Sequence, residues 1–218
     1  MAKQLGIPRI GVVEFGVASG NGLLSMSRIA AAVAKDTGVR IDVFGFDTGG
    51  GMPPPVDYRD HPEYYSTGDY PMDQEGLRKR LPAHTQLILG NVSETVPQFT
   101  ATYEGVIGFV SIDVDYYSSA VACMELLEKQ SANYLPVTPL YFDDVFLDAH
   151  NEWAGERLVI REFNDRWPMR KISLYTFLRE KRIIKNAVWI RQMYAMHVLD
   201  HPARTTEGAK KEAELRRL

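Results

Sequence analysis

Residues Arg9–Gly22 read RIGVVEFGVASGNG: a β-branched apolar run that ends in Glu14, then Gly16, Gly20 and Gly22, then a segment, Leu23–Ala34, with apolar residues at three- and four-residue spacing. A strand buried on both faces is apolar through its middle, and glycines where it turns into a helix let backbone come close to a ligand beneath unpaired helix N–H groups. The spacing Gly16-x-x-x-Gly20-x-Gly22 departs from G-x-G-x-x-G, and no Lys-Ser/Thr follows. Both absences argue against a nicotinamide site and a nucleotide hydrolase.

The same strand pattern recurs in IDVFGF (Ile41–Phe46), TQLILG (Thr85–Gly90), VIGFVSID (Val106–Asp113) and PVTPLYFDD (Pro136–Asp144). Helical spacing fills Tyr117–Lys129 and Trp153–Trp167, the second stopped by Pro168. Strands alternating with helices predict an α/β fold, doubly wound, with a mostly parallel sheet and helices on both faces. KISLYTFL (Lys171–Leu178) and VWIRQMYAMHVL (Val188–Leu199) are strand-like runs with no full helix between them. They bring the sheet to seven strands and predict an antiparallel last one. Residues 1–200 read as a single domain and 201–218 as a frayed helical tail. Gly49–Pro82 is a long insert rich in Gly, Pro, Tyr and Asp, and its Tyr58, Tyr64, Tyr65 and Tyr70 predict a lid-like cover that packs.

Composition sets the class. The chain has 218 residues, 45% hydrophobic, with a formal net charge of −3, as expected of one soluble globular domain. No run approaches the roughly 20 apolar residues that span a bilayer, and MAKQLGIPRIG carries no cleavage-site pattern, so neither secretion nor a membrane partner is expected. The lone Cys123 excludes an internal disulfide and a thiolate zinc site, and a reducing, cytoplasmic setting fits. Residues 1–156 hold 10 basic and 21 acidic side chains, whereas 157–218 hold 15 basic and 7 acidic. A basic end can meet nucleic acid or an anionic substrate, but no nucleic-acid motif interleaves it, and a solvated face is the simpler reading.

The chemistry gathers at strand ends. Asp47 closes the second strand, where an acid can accept hydrogen bonds from both ribose hydroxyls; a turn-forming Asp is the alternative. The third strand ends in Gly90-Asn91-Val92-Ser93, the fourth in Asp113-Val114-Asp115 and the fifth in Asp143-Asp144. Parallel strands share one carboxyl edge, so Asp113, Asp143 and Asp144 can converge there. A carboxylate pair at 4 Å and an effective dielectric near 20 repels by about 4 kcal/mol, which calls for a proton or a cation. Hard oxygen ligands suit Mg²⁺, with Ca²⁺ or Mn²⁺ also admissible. The structural alternative is that Asp143 or Asp144 caps the next helix and Asp115 begins the one after Tyr116.

Read in order, these segments resemble class I S-adenosylmethionine-dependent methyltransferases, and among them the macrocin O-methyltransferase-like group, from about Arg9 to Phe163. VVEFGVASGNG resembles the first cofactor motif, VFGFDTGGGMP the GFD-S/T-F-x-G-LP segment and GNVSETVPQF the G-x-x-x-E-T-LP segment. FVSIDVDYYSS is similar to the D-x-D-x-Y-x-S element and YFDDVF to the paired-Asp element. The resemblance implies a Rossmann-like methyltransferase fold and an S-adenosylmethionine site with Glu14, Gly16, Ala18 and Gly20 near the methionine portion. It puts Asp47 on the ribose, Asn91 and Val92 along the adenine, and Asp113 beside the sulfonium and the acceptor. Asp113, Asp143 and Asp144 would coordinate Mg²⁺ or another divalent cation.

The implied activity is metal-assisted O-methyl transfer to a hydroxyl of a small molecule, a sugar or a phenol. Asp113 doubles as ligand and base, or Asp115, His150 or a bound water takes the proton; His150 reads first as a surface or helix-start residue. His61, in the insert, is a lesser candidate for facing the acceptor, read first as an exposed loop residue; Tyr116, Tyr117 and Trp153 are candidates for the acceptor wall. Gly49 stands where the group has an aromatic, and the glycine turn before the fifth strand is missing. These departures keep a second reading open, a cofactor-binding regulatory module without transferase activity. A nucleic-acid methyltransferase ranks last, since no Asn-Pro-Pro-Tyr-type element follows the fourth strand. Apolar surface on the insert or the last strands would allow a homodimer.

Overall fold

A computed structural model describes residues 1–146 and 150–205. Seven strands form one sheet: β1 (Arg9–Phe15), β2 (Arg40–Asp47), β3 (Thr85–Leu89), β4 (Val106–Ile112), β5 (Val137–Phe142), β6 (Arg170–Leu174) and β7 (Met193–Val198), in the order β3-β2-β1-β4-β5-β7-β6. β1 pairs in parallel with both β2 and β4, and β7 runs antiparallel to both β5 and β6. The doubly wound, mostly parallel sheet with an antiparallel last strand is therefore observed.

Alternation along β1 divides the core between the two faces of the sheet. Val12 joins Leu23, Ile41, Val43 and Leu77 under α1 (Asn21–Thr37), while Val13 and Phe15 join Phe44, Phe46 and Ile112 on the opposite side. That second cluster is covered by α3 (Val92–Thr102), α4 (Tyr117–Met124) and α5 (Gly155–Arg166). The chain winds outward from β1 to β3 and then returns to β4 on β1's other side. The reversal leaves a crevice outside the carboxyl ends of β1 and β4, where open α/β sheets take their ligands.

Three local expectations need correction. The helix expected over Tyr117–Lys129 ends at Met124 and finishes as a tighter turn, Glu125–Glu128. Lys171–Leu178 is strand only to Leu174, and a short helix α6 (Phe177–Lys181) follows. Val188–Leu199 begins as a helix α7 (Val188–Gln192) before β7. The β-branched and aromatic residues there fit either state over so few positions. The expected tail at 201–218 contains a helical turn, Pro202–Arg204, and residues 206–218 lie outside the described residues.

The insert contains its own helix, α2 (Gln74–Arg80), whose N-cap Asp73 accepts from the Gly76 N–H. Tyr58, Tyr64 and Tyr70 are exposed rather than packed, and Tyr65 is half-buried. What fastens the insert is Asp60, fully buried, which accepts from Val56 N–H (2.8 Å), Ser118 N–H (2.8 Å) and Ser118 Oγ (2.9 Å). Ser118 stands in the first turn of α4, so an insert carboxylate satisfies orphan donors of a distant helix. Asp60→Ala is expected to lower unfolding free energy by about 1–3 kcal/mol, read as a shift in the denaturation midpoint.

Candidate active site

The crevice holds a cavity of about 340 Å³. Gly16 and Ala18 from the first turn, Asp47 from β2, and Asn91 and Val92 from the start of α3 line one part of it. Asp113, Asp115, Asp143 and Asp144 line the other. Of the cofactor and cation residues expected from sequence, Glu14 and Gly20 are absent from the wall. Glu14 is buried behind the turn with its carboxylate against Gly22 at the start of α1, and Gly20 lies against Leu77. They shape the turn from behind.

Asp47 ties the turn to the second strand. Its Oδ2 accepts from the backbone N–H groups of Val17 and Ala18, both at 2.9 Å, and its Oδ1 accepts from Gly49 N–H at 2.6 Å. Gly16, at φ +81°, takes a conformation that L side chains rarely adopt and brings the turn against β4: the Asp113 N–H donates to Phe15 O at 3.0 Å.

One ligand atom from each of Asp113, Asp143 and Asp144 lies within 4.8 Å of the others. Neither Asp143 nor Asp144 caps α5, whose N-cap is Ala154, and the N-cap of α4 is Tyr116 rather than Asp115. The capping alternative therefore fails. Each acid is instead held by its neighbours. Tyr141 OH and Gln192 Nε2 donate to Asp143 Oδ1, Asp115 N–H donates to Asp144 Oδ2 at 3.1 Å, and Glu156 Oε2 accepts from Asp144 N–H at 3.0 Å. Asp115 reaches Asp144 by adopting φ +57°, and Tyr65 of the insert lines the same cavity. Three hard oxygen ligands at this spacing, with no sulfur or nitrogen donor among them, suit a divalent cation such as Mg²⁺.

Burial first, and crowding of like charge after it, raises the pKa of these groups. Desolvation, then the charges of Asp143 and Asp115, pushes Asp113 up to about 7. Desolvation, then Asp115, Asp113 and Asp143, pushes Asp144 up to about 8. Burial, aided by Asp113, pushes Glu14 up to about 8, and burial raises Glu156 well above the usual carboxyl range. A carboxyl with a raised native pKa keeps its proton where the unfolded chain has lost it. Its full contribution is present below about pH 4 and disappears as pH climbs to about 8. Thermal melts in EDTA are expected to show a midpoint that falls between pH 5 and pH 8.5, and added Mg²⁺ should flatten that slope.

Sequence reasoning misjudged both histidines. His61 is buried, not an exposed loop residue, and stacks on His150 with ring centroids 5.1 Å apart. His150 is buried too, with Nδ1 against the Asp144 carbonyl. Neither lines the cavity, nor do Tyr116, which is fully buried, Tyr117, which donates to Glu162, or Trp153, which is exposed. What the sequence did not reveal is the insert's share of the wall: Met52, Pro53, Tyr65, Asp69 and Tyr70. The Tyr and Asp content of the insert was the available signal, but loop residues carry no periodicity to say which of them turn inward.

No family model matches the sequence, and no curated protein does. Solved structures do. The calicheamicin methyltransferase CalS11 superposes with a TM-score of 0.64 at 21% identity, over 91% of this chain and 75% of that one. The fold is that of this O-methyltransferase. The apo structure of CalS11, described as a TDP-rhamnose 3′-O-methyltransferase, gives 0.56 at 19% identity over 91% and 75%. The O-methyltransferase NovP gives 0.54 at 14% identity over 90% and 74%. In a methyltransferase fold of this kind, the cavity between the first turn and the carboxyl ends of β4 and β5 is where the strand order reverses, which is where the acids of the present chain gather.

Proposed function

We propose that this chain is an S-adenosylmethionine-dependent O-methyltransferase, assisted by a divalent cation, that acts on a hydroxyl of a small molecule, a sugar or a phenol. The observation that carries the reading is one cavity shared by the glycine turn and the three carboxylates of Asp113, Asp143 and Asp144. When bound, S-adenosylmethionine supplies a methyl group on a positively charged sulfur, and the cation supplies positive charge beside the acceptor oxygen.

The chain's own residues do the rest. Gly16 and Ala18 hold the methionine portion, with Glu14 and Gly20 supporting the turn. Asp47 takes the ribose, and Asn91 and Val92 border the adenine. Asp113, Asp143 and Asp144 hold the cation, and Asp115 accepts the acceptor's proton. Asp115 suits that role because it lines the cavity beside those three acids. His150 is a poorer base here, since its Nδ1 is engaged by the Asp144 carbonyl. The insert, residues 49–82, acts as a lid within a single domain of residues 1–200 and excludes water through Tyr65 and Tyr70. The sugar hydroxyl named for CalS11 favours a sugar as acceptor.

Calorimetric titration with S-adenosylmethionine tests the reading. Saturable binding is expected, and its absence from the intact, folded protein ends the assignment. Methyl transfer that continues undiminished in EDTA would remove the cation from it.

A further inference from the structure

Between β6 and β7, residues 175–192 form a surface on which apolar and cationic side chains stand together in solvent. Ile183 is wholly exposed (102%) and Ile184 is 72% exposed, and Phe177, Val188 and Trp189 stand 40–55% exposed beside them. Interleaved with these are Arg179, Lys181, Arg182, Lys185 and Arg191, all exposed, against the single acid Glu180. Among the described residues, none of the five cations stands in an ion pair. Three of them rest on rings instead: Lys181 on Phe177 at 5.5 Å, Arg182 on Trp189 at 5.5 Å and Arg191 on Phe146 at 4.4 Å. The Arg182–Trp189 contact ties the end of α6 to α7.

This face is rooted at the cavity. Gln192, the last residue of α7, donates to both Asp143 O (2.7 Å) and Asp143 Oδ1 (3.0 Å), and Phe146 lies just beyond Asp144. Solvated charge alone would not place isoleucines in water. A phosphodiester polymer would meet the cations but offer Ile183, Ile184 and Val188 nothing apolar to enter. Two copies joined by a two-fold axis through this face would set its five cations against five more. A phase that is apolar within and anionic at its border satisfies both sets of side chains at once.

The geometry points to residues 175–192 as a docking surface for an anionic phospholipid bilayer. Ile183, Ile184, Val188 and Trp189 enter the boundary between headgroups and acyl chains, and the flanking cations meet lipid phosphates. Such peripheral contact needs no spanning segment, and no helix among the described residues is long and apolar enough to cross a membrane. The docking stands independently of the proposed transferase reading.

Flotation of the full chain with vesicles tests this without cofactor or turnover. The protein is expected to float with phosphatidylcholine vesicles containing about a third phosphatidylglycerol, to be released by salt, and to stay behind with pure phosphatidylcholine. Ile183→Ser/Ile184→Ser should weaken partitioning at least about ten-fold, and Lys181→Ala/Lys185→Ala about five-fold per cation removed. An unchanged melting temperature would show that each variant is folded. No flotation, equal flotation with neutral lipid, or variants that float like the parent would overturn the proposal. Complete displacement by inorganic diphosphate would assign the face to a soluble phosphoryl ligand, and a dimer lost in the isoleucine variant would assign it to a second copy; either result also overturns it.

Discussion

Asp143→Ala is expected to cut metal-dependent methyl transfer by about a thousand-fold or more while the protein stays folded and still binds S-adenosylmethionine. The substitution removes one of three oxygen ligands from a set within 4.8 Å, and the Lewis-acid contribution at such a site is worth several kcal/mol. The fold has little stake in this side chain. Gln192 keeps its hydrogen bond to the Asp143 carbonyl, and loss of the carboxylate relieves its repulsion of Asp113 and Asp144. In EDTA the variant should melt at or above the parent's temperature. Steady-state kinetics with and without Mg²⁺, beside a calorimetric cofactor titration, check this. Unfolding of the variant would identify Asp143 as structural, and full activity would remove it from the cation site.

Gly16→Ala is expected to destabilise the protein by about 4 kcal/mol or more and to abolish cofactor binding. A Cβ on Gly16 would lie 1.6 Å from the Asp113 carbonyl oxygen, which is backbone and cannot turn aside. The φ of +81° adds strain that only glycine escapes. Relief requires β1 and β4 to part at their carboxyl ends, which loosens the Asp113 N–H to Phe15 O hydrogen bond and moves Asp113 away from its partners. Chemical denaturation measures the loss. A variant as stable as the parent, with cofactor affinity intact, would show that the turn does not close against β4.

The sheet was legible because its central strands are buried on both faces, so RIGVVEF and VIGFVSID carry a continuous apolar signal. The last third was less so. Val188–Gln192 has strand-like residues but folds as one helical turn before β7, and over five positions helix and strand periods do not separate. The acids of the site could be named from sequence because topology, not local propensity, brings Asp113 beside Asp143 and Asp144. Their support could not. Gln192 reaches Asp143 across 49 positions, and Tyr65 enters the cavity from an irregular insert. His61 and His150 show the same limit: each reads as a surface residue, and their burial follows from a contact between the insert and the chain after β5.

The central claim is that acids from two neighbouring strand ends gather tightly enough to hold a divalent cation. Mn²⁺ titration followed by electron paramagnetic resonance, at pH 9, above the raised range of both Asp113 and Asp144, measures this directly. One saturable site per chain is expected, lost in Asp113→Asn/Asp144→Asn although that variant melts no lower than the parent in EDTA. Absence of saturable Mn²⁺ binding to the parent, or binding that survives in the double variant, would contradict it.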